Sequence, residues 1–105
     1  GSDFPVEKVS PLLGLYASIT RRGVDGQPVE GWSPEEALTP AEALLGFTAW
    51  TGRAVGVPEW GTLAVGSRGD ITVLDVDPLQ DTPERLLQAK VLRTIVEGRT
   101  VHHDE

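Results

Sequence analysis

The sequence predicts an α+β chain, helical over residues 1–56 and mostly strand over residues 57–105. Three observations predict it. Hydroxyl-proline steps recur at Ser10-Pro11, Ser33-Pro34, Thr39-Pro40 and Thr82-Pro83. Each places a side-chain oxygen where it can accept from a first-turn amide, ahead of a proline whose missing N–H costs nothing there. Before residue 57 the apolar residues recur at helical spacing. After it, short β-branched runs are punctuated by Gly61, Gly66 and Gly69.

The elements follow in order. A helix is expected from Pro11 to about Arg22, with Leu12, Leu15, Tyr16 and Ile19 as its buried stripe and Gly23 as its terminator. Val24 to Trp32 reads as a loop with a turn at Asp25-Gly26. Ser33 starts a helical turn and Thr39 a helix. Both have a glutamate three residues on, Glu36 and Glu42, which completes a capping box. The helix from Pro40 to about Val55 has almost no polar face, because Leu44, Leu45, Phe47, Ala49, Trp50 and Ala54 cover most of its circumference. Such a helix is normally buried on several sides. A chain of 105 residues hardly supplies that cover, so the sequence points to a larger body. Alone, the chain is expected to expose apolar surface or to self-associate.

Beyond residue 57 a small β-sandwich-type portion is expected. Ile71 to Leu74 is a strand closed by Asp75 and Asp77-Pro78. Thr82 to Ala89 is a short helix. Val91–Val96 and Thr100–His102 form a hairpin around Glu97-Gly98-Arg99.

Composition narrows the function classes. Hydrophobic residues make up 39% of the chain, too many for compositional disorder. The formal net charge is −7 and the basic residues are scattered. Nucleic acid and anionic membrane are therefore not expected as partners, since both need clustered Lys and Arg. There is no cysteine, which excludes disulfides and thiolate metal sites. No apolar run approaches the ~20 residues needed to span a bilayer, and no signal peptide is visible, so a cytoplasmic setting is expected.

Few residues carry candidate chemistry. Asp3 stands in Gly1-Ser2-Asp3-Phe4-Pro5-Val6, a small-small-Asp step ahead of an X-Pro turn, which is how a carboxylate sits at a strand-to-loop junction. Spacing alone reads it as a solvated N-terminal carboxylate or a cap on the next turn. His102 and His103 precede Asp104-Glu105. Adjacent strand residues point to opposite faces and do not chelate one ion, so a frayed acidic end is expected. Arg68-Gly69-Asp70 matches the integrin adhesion tripeptide, but a three-residue match is weak and no secretory feature accompanies it. Asp75, Asp77 and Asp81 lack the glycine and distal glutamate of a calcium loop and read as a solvated turn around Pro78. Trp32, Trp50 and Trp60 are expected to be packing residues.

Five stretches taken together carry a family resemblance. They are Gly1–Val6; Pro11–Tyr16 with Thr20-Arg21-Arg22; Gly31-Trp32-Ser33-Pro34-Glu35-Glu36-Ala37-Leu38-Thr39; Gly61–Ile71 with Val73–Leu79; and Lys90–Arg99. In that order they resemble the C-terminal end of the amidohydrolase superfamily, in its YtcJ-like branch, amidohydrolase family 3. Gly69 departs from the family pattern, which carries alanine before its Asp-Leu step.

The resemblance implies a parent (β/α)8 barrel, with residues 1–56 as its end and catalytic groups at the C-terminal ends of the barrel strands. It implies metal-dependent hydrolysis of a C–N bond of amide or formamide type in a small-molecule substrate, with zinc the expected divalent metal. Asp3 would be both a metal ligand and the base that takes the proton of the attacking water. The family's other ligands, a His-X-His pair, further histidines and a modified lysine, map onto nothing in this sequence. The isolated chain is therefore expected to be inactive and to hold no metal tightly. Trp32, in a loop near the implied barrel mouth, would touch substrate. The competing expectation is a stand-alone, non-catalytic module that binds a partner through the surface its barrel relatives cover. An upstream reading frame with or without His-X-His separates the two.

Overall fold

Helix α1 spans Pro11–Thr20, and the apolar spacing that predicts it also builds the core. In the computed structural model, which describes residues 2–104, Leu15 and Tyr16 are buried, and Leu12 and Ile19 pack beside them. The helix ends two residues earlier than expected. Arg21 takes the left-handed conformation, φ 57°, while its N–H still reaches the carbonyl of Ala17. The Thr20 hydroxyl bonds the Tyr16 carbonyl at 2.8 Å and accepts from the Arg22 N–H at 3.1 Å, so local bonds displace the next turn of helix. Gly23 instead opens the following loop, bonding the Gln27 carbonyl at 2.9 Å. The turn at Asp25-Gly26 forms as expected, with Gly26 at φ 78° and the Asp25 carboxylate accepting from the Gln27 N–H.

Of the four hydroxyl-proline starts, Thr39 alone makes its cap. The Glu42 N–H donates to Thr39 Oγ1 at 3.2 Å, and the Thr39 N–H donates to Glu42 Oε2 at 2.9 Å. The box expected at Ser33 does not form. Ser33 is held at φ 47°, which turns its hydroxyl away from the amides of the 3₁₀ turn Pro34–Glu36. Ser10 and Thr82 likewise make no side-chain cap, although proline stands in each first turn.

The long apolar helix is two helices, α2 at Pro40–Phe47 and α3 at Ala49–Ala54. They break at Thr48, φ −128° and ψ −100°. The Thr48 hydroxyl turns back onto the Leu44 carbonyl at 2.7 Å. The break also presents the Thr48 carbonyl to Gly61. A Cβ built on Gly61, at φ 76°, would lie within 2.3 Å of that oxygen. Gly61→Ala should therefore cost about 2–4 kcal/mol, combining left-handed strain with overpacking. Chemical denaturation checks it, and a loss below about 1 kcal/mol would show that the turn moves aside freely.

Strands β1 (Ile71–Leu74), β2 (Val91–Val96) and β3 (Arg99–His103) form one antiparallel sheet in the order β1-β2-β3. The class is α+β, with a single sheet among the described residues where a sandwich-type portion was expected. Ile71 faces Ile95, Thr72 faces Thr94 and Val73 faces Arg93, while Thr94 faces His102 on the other side. Two register shifts leave Leu92 unpaired with β1 and Val101 unpaired with β2. No strand residue is buried. Three strands normally need a covered apolar face for stability, and here Ile71, Val73 and Leu92 remain exposed.

The core lies elsewhere. Leu15, Tyr16 and Ala43 meet Leu86 from the 3₁₀ segment Pro83–Gln88, with Phe47, Val76 and Leu87 around them. Arg22 and Glu84 pair across the same contact at 3.6 Å. Among the described residues no helix is long and apolar enough to cross a membrane.

Candidate functional site

Asp3 is exposed and stands at the head of the loop that leads into α1. No strand precedes it among the described residues. Gly1, the other end of the expected small-residue step, lies outside them. The Val6 N–H donates to the Asp3 carbonyl at 2.8 Å, closing a turn, and Asp3 itself is at φ 58°. Aspartate and asparagine occupy that conformation more readily than most residues.

Asp3 differs from five of the other aspartates in that its carboxylate is not committed, a property it shares with Asp104 among the described residues. The chain has seven. The Asp25 carboxylate accepts from the Gln27 N–H, Asp70 from Glu97, Asp75 from Lys90, Asp77 from Leu79 and Gln80, and Asp81 from Asp77. Asp25, Asp77 and Asp81 hold local turns, while Asp70 and Asp75 tie distant segments together. Among the described residues no such bond or ion pair occupies the Asp3 side chain. The cluster of Asp75, Asp77 and Asp81 is thus the solvated turn that the sequence suggests, its oxygens spent on backbone amides.

Asp3 adjoins a cleft of about 500 Å³ between the loop and α1. Ser2 and Lys8 line one side, and Leu13, Ala17, Arg22 and Phe47 line the other. Gly14 makes room for Phe47. A Cβ at that position would fall 2.6 Å from the ring. Among the described residues no group of three or more His, Cys, Asp or Glu is arranged to hold a metal ion. Asp3 offers a single carboxylate, so the residues of this chain do not by themselves fit a catalytic metal.

Trp32 is 69% exposed, not the packing residue expected of it. It is nonetheless firmly held. Its N–H donates to the Arg21 carbonyl at 2.8 Å, and its own carbonyl accepts from Arg21 Nε at 2.9 Å. The Arg21 guanidinium lies over the indole, 4.9 Å from its centroid. Gly31 at φ 81° lets the chain approach α1 so closely that a Cβ there would lie 2.6 Å from the Thr20 carbonyl. Trp50 and Trp60 are also part-exposed. Arg21 escaped sequence reasoning. The one available signal was an arginine two residues ahead of Gly23, where the helix actually needs its left-handed cap.

The remaining motifs settle as structure. His102 and His103 are strand residues in β3, not a frayed end, and His102 Nε2 lies 3.3 Å from the Val91 carbonyl. Strand pairing reaches that far because the Asp104 N–H also donates to the Leu92 carbonyl. Arg68 pairs with Asp70 at 2.8 Å and Glu97 at 3.4 Å and lies over Trp60. The tripeptide therefore ties the entry of β1 to the β2–β3 turn. Gly69 sits against the backbone of Gly98, where a Cβ would come within 3.1 Å of the nitrogen, so the alanine that the family pattern carries would be tight in this chain.

The helical stretch beside this cleft and the three antiparallel strands lie within a chain whose family is shown by its sequence. The chain belongs to the amidohydrolase family, which matches residues 1–102. It is 36% identical over 98 residues to the N-substituted formamide deformylase of Arthrobacter pascens, covering 92% of this chain and 18% of that protein. It is 31% identical over 103 residues to YtcJ of Bacillus subtilis (strain 168), named as an amidohydrolase, covering 97% of this chain and 20% of YtcJ. An imidazolonepropionase of Ruegeria pomeroyi is 54% identical over 39 residues, covering 37% of this chain and 10% of the enzyme. The chain spans about a fifth of the length of the first two relatives. No solved structure matches it.

Proposed function

We propose that residues 1–105 are the C-terminal portion of a metal-dependent amidohydrolase that cleaves a C–N bond of amide or formamide type in a small molecule. The observation that carries this reading is the match over nearly the whole chain to relatives that include a formamide deformylase. The uncommitted carboxylate of Asp3 supports it. In the reaction, water adds to the carbonyl carbon, the C–N bond breaks and the amine leaves with a proton, giving formate from a formamide.

Asp3 is the general base for the water, in hydrogen-bond reach of it once substrate is bound. It is also one ligand of a divalent metal, zinc by preference, whose other ligands come from outside residues 1–105. Trp32 contacts the substrate. The isolated chain, with one such carboxylate, holds no metal tightly and does not turn over. Its exposed apolar residues, among them Trp50 and Leu63, favour self-association when the rest of the protein is absent.

The test is amine release from a panel of N-substituted formamides and simple amides by the intact protein that carries these residues. Release from the formamides, abolished by chelation, is the expected result. Failure to release amine from every member of the panel would overturn the assignment of the reaction.

A further inference from the structure

We infer that Arg21 is a positioning residue that fixes the Trp32 indole as a stacking platform for a planar substituent on the substrate. This rests on the reading of Trp32 as a substrate contact. Three observations lead to it. First, Arg21 holds Trp32 at three points: its carbonyl, its Nε and its guanidinium plane. Because Nε is engaged by the Trp32 carbonyl, the guanidinium cannot rotate freely, and the ring beneath it is set in one orientation. A surface tryptophan held only by packing would need none of this.

Second, Trp32 as a residue is more than two-thirds exposed although its backbone is pinned. Arg21 covers part of one face and most of the ring stays in water. An aromatic face that is rigid and solvated before binding loses little freedom when a flat group stacks on it. Third, Arg21 occupies a left-handed position that glycine or asparagine fills with less strain. A side chain kept where the backbone disfavours it is one whose contacts matter. The position also faces the right way along the chain. Arg22, Gly23 and Val24, which follow Arg21 directly, line the same cleft as Ser2, the neighbour of Asp3. A substrate whose scissile bond lies at Asp3 would extend along this cleft toward the end of α1. Trp32, bonded to Arg21 at that end but outside the lining of the cleft, would meet a substituent that projects beyond it.

The experiment uses the intact protein labelled with 5-fluorotryptophan, the Trp32 resonance being assigned by its loss in Trp32→Phe. Two probes of similar size are titrated, N-phenylformamide with a flat ring and N-cyclohexylformamide with a puckered one. The Trp32 resonance should shift with the phenyl probe and scarcely with the cyclohexyl probe. In Arg21→Gly the free resonance should move and sharpen. The dissociation constant for the phenyl probe should rise about 3–10-fold, as loss of one aromatic contact implies, while that for the cyclohexyl probe stays within about twofold. The melting temperature should hold or rise, because glycine suits the left-handed position. A Trp32 resonance unchanged by Arg21→Gly, or a phenyl affinity unchanged by it, overturns the positioning role. A resonance that neither probe shifts overturns Trp32 as the platform and the inference with it. Phenyl binding without amine release leaves the platform standing and overturns only the hydrolytic reading.

Discussion

Asp3→Asn in the intact protein is expected, on the proposed mechanism, to lower kcat by about 10²–10⁴-fold, the usual cost of removing a general base, with any loosening of the metal adding to it. KM should stay close to wild type, because substrate contacts come mostly from other loops. Folding should also be untouched. Asp3 is exposed, and asparagine tolerates the φ of 58° as well as aspartate does. The substitution thus removes charge and basicity while keeping shape and backbone. Steady-state kinetics at saturating metal beside a thermal melt gives the answer. A fully folded variant with near-wild-type kcat would show that Asp3 is neither base nor ligand.

Tyr16→Ala should be the most damaging single truncation in the described residues. Tyr16 is 2% exposed and lies between Leu15, Ala43 and Leu86. Removing a buried aromatic ring costs about 3–5 kcal/mol. A domain of this size has only about 5–15 kcal/mol in total, so the variant should melt at least about 12 °C lower. Val9→Ala, at an exposed position, serves as the control and should change stability by less than about 0.5 kcal/mol. A Tyr16→Ala loss under about 1 kcal/mol would mean that the ring's pocket collapses at no cost.

Local patterns were legible in the sequence where one segment decides its own fate. The Leu12–Ile19 stripe, the Thr39 box, the Asp25-Gly26 turn and the three strands all follow from residues close in the chain. Departures arise where distant segments intervene. Ser33 fails as a cap because its neighbour Trp32 is held by Arg21 across eleven residues. The Pro40–Val55 helix divides at Thr48, where Gly61 closes on the Thr48 carbonyl. Leu86 becomes core by docking on α1, which no local period announces. The candidate site was legible only as a residue, Asp3, and as a family pattern. Its exposure, its free carboxylate and the clamp on Trp32 depend on tertiary contacts.

The contact of Leu86 with Leu15 and Tyr16 bears on how this polypeptide can be cut and recombined. The strand-rich half lends the helical half one wall of the core seen among the described residues. A shortened chain ending before Pro83 would open Tyr16 to water and delete the Glu84 partner of Arg22. Grafting residues 1–56 alone onto another protein would therefore transplant Asp3 and Trp32 without the support beneath α1. The smallest transferable unit that keeps that support runs through the segment ending at Gln88.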